Sequence, residues 1–196
     1  MIFNEYTDKK AVQLLATQSR RIDISSLELC TVHLEMGKYL AYEILEELEL
    51  EETRIQHVQG VKTGMKLKNE NEIIIFPLMR AGLYAAEGIR SVIKDSQFAP
   101  YSKEEEEKLS LENKTIILVD SVINTGKSIL KIIDSLNKKS IKKIIVATLI
   151  LQKDALGLFE KYESISLYSL RVSENKYTGK GGTDTGNRLF NTIKRL

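Results

Sequence analysis

The sequence predicts an α/β domain with a mostly parallel sheet flanked by helices, and three observations predict it. Apolar, β-branched runs at Ile73–Phe76, Thr115–Val119, Lys143–Leu151 and Ile165–Leu170 have the length and character of strands buried on both faces. Between them the apolar residues recur at three- and four-residue spacing, so strands alternate with helices. No internal repeat is visible, and 196 residues suit one domain spanning 1–196 with a sizeable core. Right-handed crossovers then place any ligand at the carboxyl ends of the strands.

In chain order, Met1–Arg21 is mixed and reads as an arm or short helix, so residues 1–50 form an N-terminal helical arm. Ser25 with Glu28 three residues on is a capping box, and Leu29, Val32, Met36, Leu40, Ile44 and Leu48 continue at helical spacing. His33 within that helix is expected to be a core or surface histidine rather than a catalytic one. Thr53–Leu67 changes period and, with Gly60 and Gly64, suggests a β-hairpin. Pro77 ends the next strand, Leu78–Gly82 is a loop carrying Arg80, and Leu83–Ile93 returns to helical spacing. Gln97–Tyr101 reads as a brief strand and Lys103–Lys108 as a solvated charge run or loose loop. Asp120 is expected to stop the central strand, leaving Ser121–Gly126 as a tight connection. From Lys127 a helix buries Ile129, Leu130, Ile132, Ile133 and Leu136. Lys153–Tyr162 reads as a helix, and Gly179–Gly186 as a loop too rich in glycine for regular structure but suited to close approach of backbone to a ligand.

Composition narrows the function classes. A net charge of +2 gives no reason to expect nucleic acid or an anionic membrane as partner. Cys30 is alone, which rules out a disulfide framework, and His33 and His57 are too few for histidine-rich metal catalysis, so no metal site of the protein's own is expected. Ile144–Leu151 is too short to span a bilayer and the polar N-terminus is not a signal peptide, so a cytoplasmic enzyme is expected.

The strand–loop–helix at Thr115–Ile133 carries the chemistry. Ser121–Ser128, SVINTGKS, is one residue from the triphosphate signature G-x-x-x-x-G-K-[ST], but Ser121 replaces its first glycine and Asp120 would repel a polyphosphate. The alternative is a single phosphate on the Asn124–Ser128 amides at the helix start, with Asp120 accepting hydrogen bonds from sugar hydroxyls. The bland reading is a strand–helix turn with no ligand.

Four ordered stretches, RIDISS at 21–26, PLMRAGL at 77–83, VDSVINTGKS at 119–128 and GGTDTGNRLFNT at 181–192, together resemble the uracil phosphoribosyltransferases, a type I phosphoribosyltransferase family. The resemblance implies that fold, with a hood at 171–192 over the base. It also implies transfer of phosphoribosyl from phosphoribosyl diphosphate to uracil, giving UMP and diphosphate in pyrimidine salvage. Asp120 and Arg80 match the family's catalytic positions. Arg80, Asp120, Ser121, Val122, Ile123, Asn124, Thr125, Gly126, Lys127 and Ser128 match those that bind phosphoribosyl diphosphate. Thr178, Thr183, Asp184 and Thr185 match those around uracil. Mg²⁺ bound mainly through the substrate diphosphate and a homodimer or larger homo-oligomer are implied as well. Three departures stand out. Lys180 replaces the family's proline, Thr183 replaces a glycine, and Ser102, within DSQFAPYSKEEEEK, stands where a second diphosphate arginine belongs. The loss of that arginine opens a second reading, a non-catalytic sensor of phosphoribosyl diphosphate or a pyrimidine nucleotide.

The implied reaction passes through an oxocarbenium-like transition state, which needs electrostatics more than a nucleophilic side chain. Arg80 can pair with diphosphate oxygens in bidentate fashion, Asp120 can face the developing cation, and Thr125 and Ser128 can add hydroxyls around the 5′-phosphate.

Overall fold

The computed structural model describes residues 1–176 and 179–192. Its centre is a six-stranded, wholly parallel sheet. The strands are β1 (Ile2–Glu5), β4 (Ile73–Pro77), β5 (Gln97–Phe98), β6 (Thr115–Ile123), β7 (Lys143–Gln152) and β8 (Ile165–Ser173), in spatial order β1-β8-β7-β6-β4-β5. Alternation sorts each strand between two cores. Ile73 and Ile75 face one, packed under the helices α1 (Lys10–Arg20), α2 (Ser26–Leu45) and α3 (Leu83–Val92). Ile74 and Phe76 face the other, shared with Ile129, Ile132, Ile133 and Leu136 of α5 (Lys127–Leu136). Both faces are covered, which is why these strands read as unbroken apolar runs.

The Ser25 box forms as expected, with Ser25 Oγ accepting from Glu28 N at 3.1 Å and Glu28 Oε2 from Ser25 N at 2.8 Å. Helices α2 and α3 cross at two glycines. A Cβ on Gly37 would sit 2.0 Å from Ala85 O, and one on Gly88 would sit 2.1 Å from Leu34 O, so the backbones touch only because neither has a side chain. The hairpin pairs β2 (Leu50–His57) with β3 (Gly60–Leu67) and stands apart from the main sheet.

Five expectations are corrected. The first fifty residues are not wholly a helical arm, because Ile2–Glu5 adds β1 to the sheet edge beside β8; a four-residue strand is too short to show its period. Asp120 does not end its strand, since β6 runs on to Ile123 with Asp120 paired to Thr148 and Val122 to Ile150, and Ile123 is buried in the second core. Lys103–Lys108 is a helix, α4, capped by Ser102 Oγ, which accepts from Glu105 N at 3.1 Å, and pinned by the buried Glu106. The helix after β7, α6, covers only Lys153–Leu156, and i to i−3 bonds at Leu158, Phe159 and Tyr162 tighten the chain beyond it. The glycine-rich stretch is partly regular, with a 3₁₀ turn at Gly181–Thr183 and a helix, α7, at Thr185–Phe190, capped by Asp184 Oδ1 accepting from Asn187 N at 2.8 Å.

Candidate active site

The carboxyl ends of β4 and β6 frame a cleft of about 480 Å³ into which Arg80, Asp120, Ser128 and Asp184 converge, with Tyr101 and Gly186 on its wall. Asp120 is half-buried on β6. Burial pushes its carboxyl up to about 7, although the amides of Val122 and Ser121 bond to it and pull the other way. It is therefore poised between neutral and charged forms near neutral pH.

Beyond it Gly126 adopts a left-handed backbone (φ 69°) and opens α5, whose first turn carries Lys127 and Ser128. Only glycine takes this conformation without strain, so the Thr-Gly pair is structural at its second residue. Thr125 Oγ1 lies 3.5 Å from Lys127 N. Asn124 and Thr125 face an adjoining hollow of about 340 Å³ rather than the Asp120 cleft.

Arg80 rides on the turn after β4. Leu78 N donates to Val119 O at 2.8 Å, and a Cβ on Gly82 would meet that same oxygen at 2.3 Å, so the turn is pressed against β6. The Met79–Arg80 peptide is cis. The exposed guanidinium of Arg80 reaches the hood, donating to Asn187 Oδ1 at 2.8 Å and Thr192 Oγ1 at 3.3 Å and lying 5.7 Å from the Phe190 ring centroid.

Three other residues expected around phosphoribosyl diphosphate point elsewhere. Ile123 is in the core, and Ser121 and Val122 line a second cavity on the far side of the strand, together with His33 and Thr185. Ser121 Oγ donates to Ala81 O at 2.6 Å and lies 3.2 Å from His33 Nδ1. With its one proton directed to Ala81, Ser121 accepts from a protonated Nδ1. Burial and then Arg188 push His33 down to about 4, so it is neutral. This chain of bonds ties α2 through β6 to the loop of Arg80, which sequence reasoning about His33 did not reach.

Of the four residues expected around a base, Asp184 reaches the cleft. Thr183 turns its hydroxyl to Lys180, 3.1 Å from its N and 3.0 Å from its O, Thr185 begins α7, and Thr178 lies outside the described residues. Ser102 sits at the cap of α4, and Tyr101 beside it donates to Glu106 Oε2 at 2.6 Å.

Asp120 and Asp184 are the carboxylates lining the cleft, and among the described residues no three His, Cys, Asp or Glu side chains gather as a metal site. That donor set suits a magnesium ion carried in on substrate oxygens, not a cage of protein ligands. No helix is long and apolar enough to cross a membrane among the described residues.

Comparisons with known proteins bear on the family and the fold. The family model for uracil phosphoribosyltransferase matches residues 6–192. The AQ2163 protein of Aquifex aeolicus is 26% identical and superposes with a TM-score of 0.81 over 96% of this chain and 98% of that one. A hypothetical protein of Neisseria gonorrhoeae, solved with bound ppGpp, is 16% identical, with a TM-score of 0.52 over 83% and 93% of the two chains, and shares the fold.

Proposed function

The chain belongs to the uracil phosphoribosyltransferase family, and we propose that it displaces diphosphate from phosphoribosyl diphosphate with a ring nitrogen of a uracil-type pyrimidine, giving UMP when the base is uracil, in cytoplasmic pyrimidine salvage. By family and fold it is a phosphoribosyltransferase.

The observation that carries the proposal is the meeting of Arg80, Asp120 and Ser128 in one cleft. A sugar laid across it has its 5′-phosphate at the first turn of α5, where amides and the helix dipole favour an anion. Its hydroxyls lie at Asp120, and its diphosphate lies toward Arg80. As the bond to diphosphate breaks, the ionised Asp120 stabilises the cation that develops on the ring, and Arg80 holds the departing charge. Mg²⁺ bound to the diphosphate supplies further neutralising charge. Arg80 also joins the leaving-group end to the hood through Asn187 of α7 and Thr192 just beyond it, so diphosphate binding and hood position are coupled. Thr183, Asp184 and Thr185, with Thr178, are assigned to the base.

Replacing Arg80 by Ala is expected to abolish diphosphate release with uracil and to weaken phosphoribosyl diphosphate, while ribose 5-phosphate binding changes little. Calorimetry with Mg²⁺ beside a turnover assay on the same preparation checks this, and equal losses for both ligands would refute the placement. One observation favours the sensor reading: Ser102 caps α4 where the family has a second diphosphate arginine. Tight binding of phosphoribosyl diphosphate by wild type with no release to any base would establish that reading instead.

A further inference from the structure

Across β6 from the reaction cleft, a cavity of about 270 Å³ lies between α1, α2 and the carboxyl ends of β7 and β8. Its charge is one-sided: Arg20, Arg171, Arg188 and Lys176 line it, and among its described lining residues there is no Asp or Glu. Two of these cations are engaged elsewhere. Arg188 donates to Ser19 O at 3.1 Å and Arg21 O at 2.8 Å, and Lys176 stands 3.6 Å from Asp154. Arg20 bonds through Nε alone, to Ala16 O at 3.0 Å. The guanidinium of Arg171 has no hydrogen-bond or ion-pair partner among the described residues. Burial and the neighbouring Arg20 push Arg171 below its ordinary value, as expected for a cation lacking a counter-charge, yet a guanidinium stays charged. His33 is neutral and compensates nothing. The remaining wall includes Met36, Leu149 and Leu170, apolar surface suited to a flat ring.

The position matches an acceptor site. A nucleophile approaches the anomeric carbon from the side opposite the leaving group. With diphosphate at Arg80, on the β4 side of Asp120, that opposite side is toward β7 and β8. Ser121 and Thr185 on the cavity wall are chain neighbours of Asp120 and Asp184 in the cleft.

We propose that this cavity, which the hood enters at Thr185 while Asp184 stays in the cleft, receives the acceptor ring and that the acceptor is a carboxylated pyrimidine, its carboxylate paired with Arg171 and Arg20. The inference rests on the phosphoribosyl-transfer reading above. A neutral ring leaves both guanidinium groups uncompensated in a confined space, whereas a carboxylate matches their planar donors in bidentate fashion. In the reaction the ring nitrogen forms its bond to the anomeric carbon as the carbon–oxygen bond breaks, diphosphate leaves with the electron pair, and the nitrogen's proton passes to solvent.

The test follows diphosphate release from phosphoribosyl diphosphate and Mg²⁺ with uracil, 5-carboxyuracil or 6-carboxyuracil, on wild type, Arg171→Gln and Arg20→Gln, beside calorimetric binding of the same bases. A carboxyuracil should exceed uracil in kcat/KM by about tenfold or more, the scale of one charge-assisted hydrogen bond, and the ratio should fall toward one in each variant. Preference of wild type for uracil, or an unchanged ratio in both folded variants, overturns the proposal. If no base releases diphosphate but a carboxyuracil binds wild type and loses about tenfold in the variants, the transfer reading fails and the anion pocket stands. Uracil turnover with no carboxyuracil binding overturns the pocket and leaves transfer intact.

Discussion

At the scale of single residues, Asp120 decides how the site responds to pH. Its carboxyl rises from 3.8 to about 7 because burial disfavours the charge more than two backbone amides favour it. Between those values the folded chain holds a proton that the unfolded chain has lost, so stability falls as pH rises from about 4 to about 7, by ~4 kcal/mol at most. Asp120→Asn removes that slope: the variant should match wild type near pH 4 and melt higher at pH 8, and a wild-type melting profile flat from pH 4 to 8 would contradict it. Catalysis runs the other way, because only the carboxylate faces the developing cation. In the wild type kcat/KM should climb about tenfold per pH unit below 7 and level off above it, while Asp120→Asn should lose most turnover at pH 8 and show no such rise. At this scale short motifs mark where to look, and the fold brings the separate stretches that hold Arg80, Asp120, Ser128 and Asp184 to the wall of one cleft. The partners of Arg80, Asn187 and Thr192, stand 107 and 112 positions away, and the contact of His33 with Ser121 crosses 88, separations that no local pattern records.

At the scale of elements, α4 shows how a charged stretch becomes structure. Lys103–Lys108 looks solvated by composition, and its Glu104 and Glu105 do pair with Lys108 on the surface. Glu106 is the exception, buried with Tyr101 Oη at 2.6 Å, Ser135 Oγ at 2.7 Å and Lys103 Nζ at 3.0 Å, so hydrogen bonds and cations hold its carboxyl below the usual range despite burial. Ser135 belongs to α5, and only the fold brings it within reach. The cap at Ser102 makes the missing arginine testable. Ser102→Arg restores a cation beside Tyr101 but removes the oxygen that accepts from Glu105 N, so it should cost about 0.5–2 kcal/mol of stability. Urea denaturation reads that loss, and a variant as stable as wild type would mean that the cap contributes nothing. Turnover should rise or stay level in the folded fraction, since Arg80 already supplies one diphosphate contact.

For the whole molecule, the parallel sheet was legible because both its faces are buried, which writes strands as unbroken β-branched runs. Its edges were not: β1 has four residues and β5 two, too few to establish a period. The hairpin was found from its change of period, yet its surroundings set a physical problem. Two strands alone are marginal in water, and this pair belongs to no larger sheet. On one of its faces Val61, opposite Gln56, and Met65, opposite Glu52, are 62% and 59% exposed, while Val58 at the turn is 95% exposed. A second copy of this chain would cover that surface, in keeping with the homo-oligomer that the family resemblance implies. Wild type is therefore expected to sediment as a dimer or larger at micromolar concentration. The double variant Val61→Lys, Met65→Lys should shift toward monomer with stability within about 0.5 kcal/mol per site of the parent monomer, since both side chains are exposed. Monomeric wild type, or a variant whose association is unchanged, would mean that the hairpin stands in water by its own strand pairing and that the interface lies on another face.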